Sequence, residues 1–478
     1  MDRDPESRPS PIGELPVELV RSVLSALPDI TSLRTAVLSC PLFYYTFLEA
    51  ETTITMQVLL NEIGNSVLPE AIAAYESSRV RSVVSDPICP EAIVDFLNQN
   101  LSQRLTPPRS CSLQKALQLE RLHLYVDGFA RKFASAALDE HPIDRSESLA
   151  TYEETCRIER ALYRFEIYCN LFSKPRKVRP YPWWELPEEP DPIEQKKLFF
   201  DKFAPWENEQ LGCIHDFLFR IISPAFNDLV EHDVCWGAWE VQYCGEVDAP
   251  EIQHVLSLGL AKLHAIAGAE TYEERYQVLD AYEFPGYTSE FLHDDFQYAN
   301  KPNDDIWFQG LTPEEKALLT GQPFFADPDS GPVDIWRWAY DDQTWSSWVY
   351  QHYQHGLRQW GYVMWDRSRL EAVSIFQKPF DWEEGRRYSI LRLEEAHRQR
   401  RLIDKSKDKA LVIRRNGGTG WWSWGDLSKV RWRDEKPPEK KRLPGREAFN
   451  PPSSLAEAQD MCNMMKLQLF QCWAINDP

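Results

Sequence analysis

The chain has 478 residues, of which 53 are basic and 74 acidic, giving a net charge of −21. That acidic balance argues against bulk nucleic-acid binding by the whole chain, so nucleic acid is not expected among its partners. Hydrophobic residues make up 43%, with 18 Trp, 19 Tyr and 23 Phe, enough for a sizeable core, and no apolar run approaches the ~18 residues of a membrane helix.

Residues 1–11 are polar and proline-containing and are expected to be disordered. The opening MDRDPESRPSPIGE lacks the apolar segment of a signal peptide, so a cytoplasmic or nuclear location is expected. The most informative stretch follows, PIGELPVELVRSVLSALPDITSLRTAVLSCPLFYYTFLEA from Pro11 to Ala50. Leu15-Pro16 reads as a helix start, because proline at the first helical position loses no useful N–H. Leu19, Val20, Val23, Leu24 and Leu27 fall within an arc of roughly 140° on that helix. Pro28 ends it, and Asp29 or Thr31 is placed to cap the next. Leu33 and Val37 share a face four residues apart. Cys40-Pro41 breaks the chain again, and Leu42, Phe43, Phe47 and Leu48 form a third apolar segment. So small a three-helix unit cannot bury all its apolar surface, and either the rest of the chain or another protein must cover the surplus.

These residues resemble an F-box, the module by which substrate receptors dock on the Skp-type adaptor of cullin–RING ubiquitin ligases. The matching positions are Leu15, Pro16, Glu18, Leu19, Val20, Val23, Leu24, Leu27, Pro28, Leu33, Val37, Cys40 and Phe43. The resemblance implies that these, Leu27 apart, are the adaptor-binding set, with the apolar side chains giving contact area and Pro16 and Pro28 setting helix ends. The chain departs from the family in the third helix. There the family often carries a charged residue and a tryptophan, and this chain has Pro41-Leu-Phe-Tyr-Tyr. The whole chain is also similar to a group of filamentous-fungal F-box-like proteins. They share the opening LPxELxxxxLSALPDxxSLRxxVLSCPxFY and a late WGYVMWD segment, here Trp360 to Asp366.

Beyond residue 50 the pattern stays helical. Ile54–Ile63, a segment from Pro90, and Leu113–Leu138 read as helices. Thr151-x-x-Glu154 is a capping-box spacing that opens a helix to Phe172, with Ile158, Leu162, Phe165, Cys169 and Phe172 in period. Lys174 to Pro192 is rich in proline and charge and reads as a linker or surface loop. Leu211–Ile222, Pro250–Ala267 and Thr271–Tyr282 resume the helical pattern, and Thr312-Pro-Glu-Glu315 is a further start. Trp336–Val373 is long and aromatic, and Tyr388–Ile403 reads as a charged surface helix. Leu411 to Trp424 holds a glycine-rich turn between β-favouring runs, consistent with a short hairpin. Lys436–Arg446 reads as a polar loop and Leu455–Trp473 as a closing helix. No period of about 20–50 residues is present, so repeat arrays are not supported.

Chemistry-bearing motifs are sparse. His293-Asp-Asp295 offers two ligands of a non-haem iron site, which His352 or His355 could complete, but acidic loops produce such a triplet by chance far more often. His352-x-x-His355 has helical spacing without the glutamate of a zinc-protease helix. Gly417-Gly-Thr-Gly420 lacks the Gly-Lys-Ser/Thr of a phosphate loop and reads better as a turn. The ten cysteines form no Cys-x-x-Cys pair, so buried reduced thiols are expected. The basic charge is concentrated. Residues 386–446 hold 19 Lys/Arg against 8 Asp/Glu, a local balance of +11 that leaves −32 for the rest. That asymmetry indicates an interaction surface or attraction between parts of the chain.

The expected fold is mainly α. An F-box-like unit at 12–50 precedes a helical region at 51–172 and a proline-rich linker at 173–192. A Trp-rich, mainly helical region follows at 193–478, with a short hairpin near 411–424. The expected function is non-catalytic, a substrate receptor that binds the Skp-type adaptor and recruits a protein substrate; no catalytic residue, metal or cofactor is expected. Two alternatives stay open. In one, the F-box-like helices belong to a single helical domain that binds no adaptor. In the other, His293 and Asp295 serve a metal-dependent enzyme.

Overall fold

A computed structural model describes residues 15–83, 90–101, 111–140, 149–173, 192–238, 250–279, 291–299, 312, 314–315, 323–340 and 355–432. All of them belong to one compact unit, and a second unit, 177–185 with 435–478, lies outside the described residues. Among the described residues the protein is mainly α-helical. The helices are α1 (Val17–Ser25), α2 (Ile30–Ser39), α3 (Pro41–Ile63), α4 (Leu68–Val83), α5 (Pro90–Asn100), α6 (Leu113–Leu138) and α7 (Tyr152–Phe172). There follow α8 (Pro192–Leu198), α9 (Pro205–His232), α10 (Val234–Ala238), α11 (Pro250–Leu256), α12 (Leu260–Ala267), α13 (Tyr272–Leu279) and α14 (Phe291–Ala299). The last are α15 (Gly331–Tyr340), α16 (His355–Gln359), α17 (Arg367–Ala372) and α18 (Trp382–Arg415). The stretch 174–191, the basic loop after Lys436 and the predicted closing helix Leu455–Trp473 lie outside the described residues.

Local chemistry sets the helix ends. The Asp29 carboxylate accepts from the Ser32 amide at 2.6 Å and starts α2. Pro41 occupies the first turn of α3. That helix kinks at Ala50, whose φ of −137° is not helical. The capping box predicted for α7 is present. Glu154 N–H donates to Thr151 Oγ1 at 3.2 Å, and Thr151 N–H donates to Glu154 Oε2 at 2.8 Å. The single helix expected over Pro250–Ala267 is two, because Gly259 takes a φ of 86° between α11 and α12. The Glu166 carboxylate then accepts the Leu260 amide at 2.7 Å, capping α12 from α7.

One continuous hydrophobic core runs from Val20 and Leu24 in α1 through α3, α6, α7 and α9 to Leu370 in α17. The amino-terminal helices therefore share a core with the helices that follow. A second, small cluster joins Val234, Ala410, Ile413, Trp422 and Val430. The predicted hairpin is displaced. Leu411–Arg415 is the last part of α18, and antiparallel bridges form later, between Thr419 and Arg431 and between Ser423 and Asp426. Packing of Ala410 and Ile413 against Val234 holds this β-favouring run in a helix.

Candidate functional site

The amino-terminal helices divide their apolar side chains into two rows. Val20 and Leu24 of α1, with Leu33 and Val37 of α2, are buried in the chain's own core. Leu19 and Val23 lie four residues apart in a neighbouring row, with Leu15 exposed just ahead of the helix. That row is exposed, with Leu19 at 51% and Val23 at 48%. Pro16, Glu18 and Pro28 are exposed as well, and Cys40 and Phe43 are half-buried. The twelve residues expected from sequence thus fall into a surface set and a supporting set behind it. Five exposed side chains were not in that expectation: Val17, Leu38, Tyr44, Tyr45 and Leu48. Tyr44 and Leu48 are spaced i, i+4 on α3, a pairing legible in the PLFYYTFL stretch.

Polar contacts fix this unit against the helices that follow. Three carboxylates converge on the first amides of α2. Asp29 takes Ser32 N–H, Glu62 of α3 takes Ile30 N–H at 3.2 Å, and Glu120 of α6 takes Thr31 N–H at 2.7 Å. A helix amino end carries unsatisfied donors and partial positive charge, so it accepts such a cluster. Burial pushes the Glu62 carboxyl up to about 7, aided by Glu120 and Asp29 and opposed by the Ile30 hydrogen bond. Asn61 donates to the Ser25 and Leu27 carbonyls at 2.8 and 2.9 Å, closing the carboxyl end of α1. Glu51 accepts the Leu113 amide at 3.0 Å, tying α3 to the start of α6. The Arg21–Glu49 pair at 3.0 Å is exposed and contributes little.

The late Trp360–Asp366 segment has a structural place. Arg157 of α7 is fully buried and donates through Nε and Nη2 to Asp327 at 2.6 and 2.8 Å. Its Nη1 donates to Asp366 at 2.7 Å and to the Met364 carbonyl at 3.0 Å. Glu154 accepts the Asp366 amide at 3.0 Å and pairs with Arg369 through both oxygens, each at 2.8 Å. Two turns further along the same face of α7, Arg164 pairs with Glu207 at 3.1 Å and lies 3.6 Å from Glu70. Trp365 is buried and its indole N–H donates to the Trp360 carbonyl at 2.8 Å. The segment is a strut whose Asp366 brings charge to buried Arg157 of α7.

The other motifs resolve unevenly. Asp295 is buried and accepts from the Tyr168 hydroxyl. The side chains of His293 and His355, and all of His352, lie outside the described residues. Among the described residues, no group of three or more His, Cys, Asp and Glu is placed to hold a metal ion. Gly417 and Gly418 close α18, with Gly417 at a φ of 85° and Gly418 N–H donating to the Ile413 carbonyl at 2.9 Å. Among the described residues, no helix is long and apolar enough to cross a membrane. No family model, curated protein or solved structure matches the chain.

Proposed function

We propose that the protein is a non-catalytic substrate receptor that binds a Skp-type adaptor through α1–α3 and carries a protein substrate to a cullin–RING ubiquitin ligase. The supporting observation is the exposed Leu19–Val23 row, with exposed Leu15 just before it, on a three-helix unit whose other apolar row is buried. Covering such side chains stabilises a complex by about 1.5–3 kcal/mol each before association costs. Catalysis in this reading belongs to the ligase. The receptor acts by proximity, raising the effective concentration of a substrate lysine near the loaded ubiquitin.

Co-purification with the adaptor tests the reading. Leu19→Asp with Val23→Asp removes capture while leaving the helical circular dichroism spectrum and the cooperative fold intact, because both side chains are about half exposed and Val20 and Leu24 hold α1 to the core. Capture retained by the double variant, or absent from the parent chain, overturns it.

A second reading is a helical protein whose F-box-like unit binds no adaptor. The bonds from Glu120 and Glu51 that join α2 and α3 to α6 favour it, since they make the unit part of a larger body. The parent-chain arm of the same experiment separates the two.

A further inference from the structure

Resting on the substrate-receptor reading, we propose that substrate docks on the carboxyl end of α18 and the turn after it, and that the docked segment is an acidic peptide stretch carrying apolar side chains.

The charge at this end of the helix is opposite to that of the chain, whose net charge is −21. Arg414 and Arg415 in its last turn, and Lys429 and Arg431 in the segment that returns to it, are exposed. The backbone brings the two segments together. Gly417 and Gly418 close the helix just after Arg415, and Thr419 and Arg431 then exchange backbone hydrogen bonds at 3.0 and 2.9 Å. At about 0.15 M salt the screening length is about 8 Å, so a docked segment responds to this local field more than to distant acidic surface.

Two large indoles stand uncovered beside the cations. Trp424 is 55% exposed at the tip of the turn that Ser423 and Asp426 close, and Trp432 is 48% exposed next to Arg431. A lone exposed apolar residue is ordinary. Two tryptophans among arginines match the composition of binding hot spots.

The platform is also held in place. Trp422 sits in the small core with Val234, Ala410, Ile413 and Val430, and the Trp424 ring meets it edge-on at 5.4 Å. Val234 N–H donates to the Gly420 carbonyl at 3.0 Å, and Trp422 N–H donates to the His232 carbonyl at 2.9 Å. Lys429 lies over the Trp421 ring at 4.8 Å. A surface fixed in this way loses little freedom when a partner arrives.

The pattern of charge selects the occupant. Asp404, Asp408 and Asp426 are exposed among the cations. They interrupt the continuous basic track along which a phosphate backbone binds. Separate cations between them remain able to pair with separate carboxylates, while the indoles take apolar side chains.

The test uses the purified full chain and a short fluorescein-labelled peptide in which Asp and Glu alternate with Leu and Phe, followed by fluorescence anisotropy. Saturable binding is expected, absent when Asn and Gln replace the acids. Arg414→Ala with Arg415→Ala, and separately Trp424→Ala with Trp432→Ala, weaken it by about tenfold or more. The arginine variant keeps the parent melting profile because both side chains are exposed. Trp424→Ala also loses its contact with Trp422, so Trp432→Ala alone is the indole variant that keeps the profile. Binding unchanged in both variants overturns the proposal, as does a poly(dT) oligonucleotide that binds this face while the peptide does not. Adaptor capture is measured alongside. Peptide binding without capture sinks the receptor reading alone, and capture without peptide binding sinks the docking face alone.

Discussion

Helix α1 carries leucine and valine on its outside, whereas α7 carries arginines on its inside. Both invert the usual distribution of side chains. In α7 the inversion is answered within the chain, since Arg157 meets Asp327 and Asp366, and Arg164 meets Glu207. In α1 the Leu19–Val23 row stays exposed. A residue set against its solvent preference marks architecture when its partner is in the same chain. A half-exposed apolar row, as at Leu19 and Val23, is the surface on which the proposed adaptor would rest.

The contrast can be broken most forcefully within α1. Leu24→Ala costs about 2–5 kcal/mol, read from urea unfolding, whereas Leu19→Ala stays within about 0.5 kcal/mol. Equal losses erase the distinction between the two rows. Asp366→Ala takes one of the two carboxylates from buried Arg157, leaves Asp327 in place, and costs about 1.5–3 kcal/mol, read the same way. A loss under about 1 kcal/mol shows that the buried network does not hold the late strut. Asp29→Ala removes the side-chain cap of α2 and costs about 1 kcal/mol, and a neutral result assigns the capping to Glu62 and Glu120.

The smallest effect is a pH slope. Burial pushes the carboxyls of Glu62 and Glu159 up from 4.5 to about 7. A raised carboxyl binds its proton more tightly in the folded chain than in the unfolded one. Its contribution to stability is therefore full below about 4.5 and is lost as pH rises through about 7. Glu159→Gln holds the neutral form and flattens this part of the melting temperature against pH. An unaltered slope in that variant and in Glu62→Gln removes these two groups from the account.

Much of the fold was legible because it is written locally. Thr151 and Glu154 announce α7, and the Leu-Pro and Cys-Pro pairs punctuate the amino-terminal helices. Gly259 was visible too, but its break was not read, because the left-handed turn is secured by Glu166 from another helix. The run at 411–415 was misread as strand, since its helical state depends on Val234 far away in sequence. The division of the expected adaptor set was not legible. Leu19 and Val20 have similar chemistry, and only packing of α1 against α3 decides which of the two rows is core. The role of Arg157 was hidden for the same reason, its partners being 170 and 209 residues away.

Isothermal titration of the purified chain with a Skp-type adaptor decides whether the outer row of α1 is a docking surface. One-to-one heat is expected from the parent chain, and none from a Leu19→Asp, Val23→Asp variant that keeps the parent's helical circular dichroism spectrum. No heat from the parent, or equal heat from the variant, rules the docking surface out.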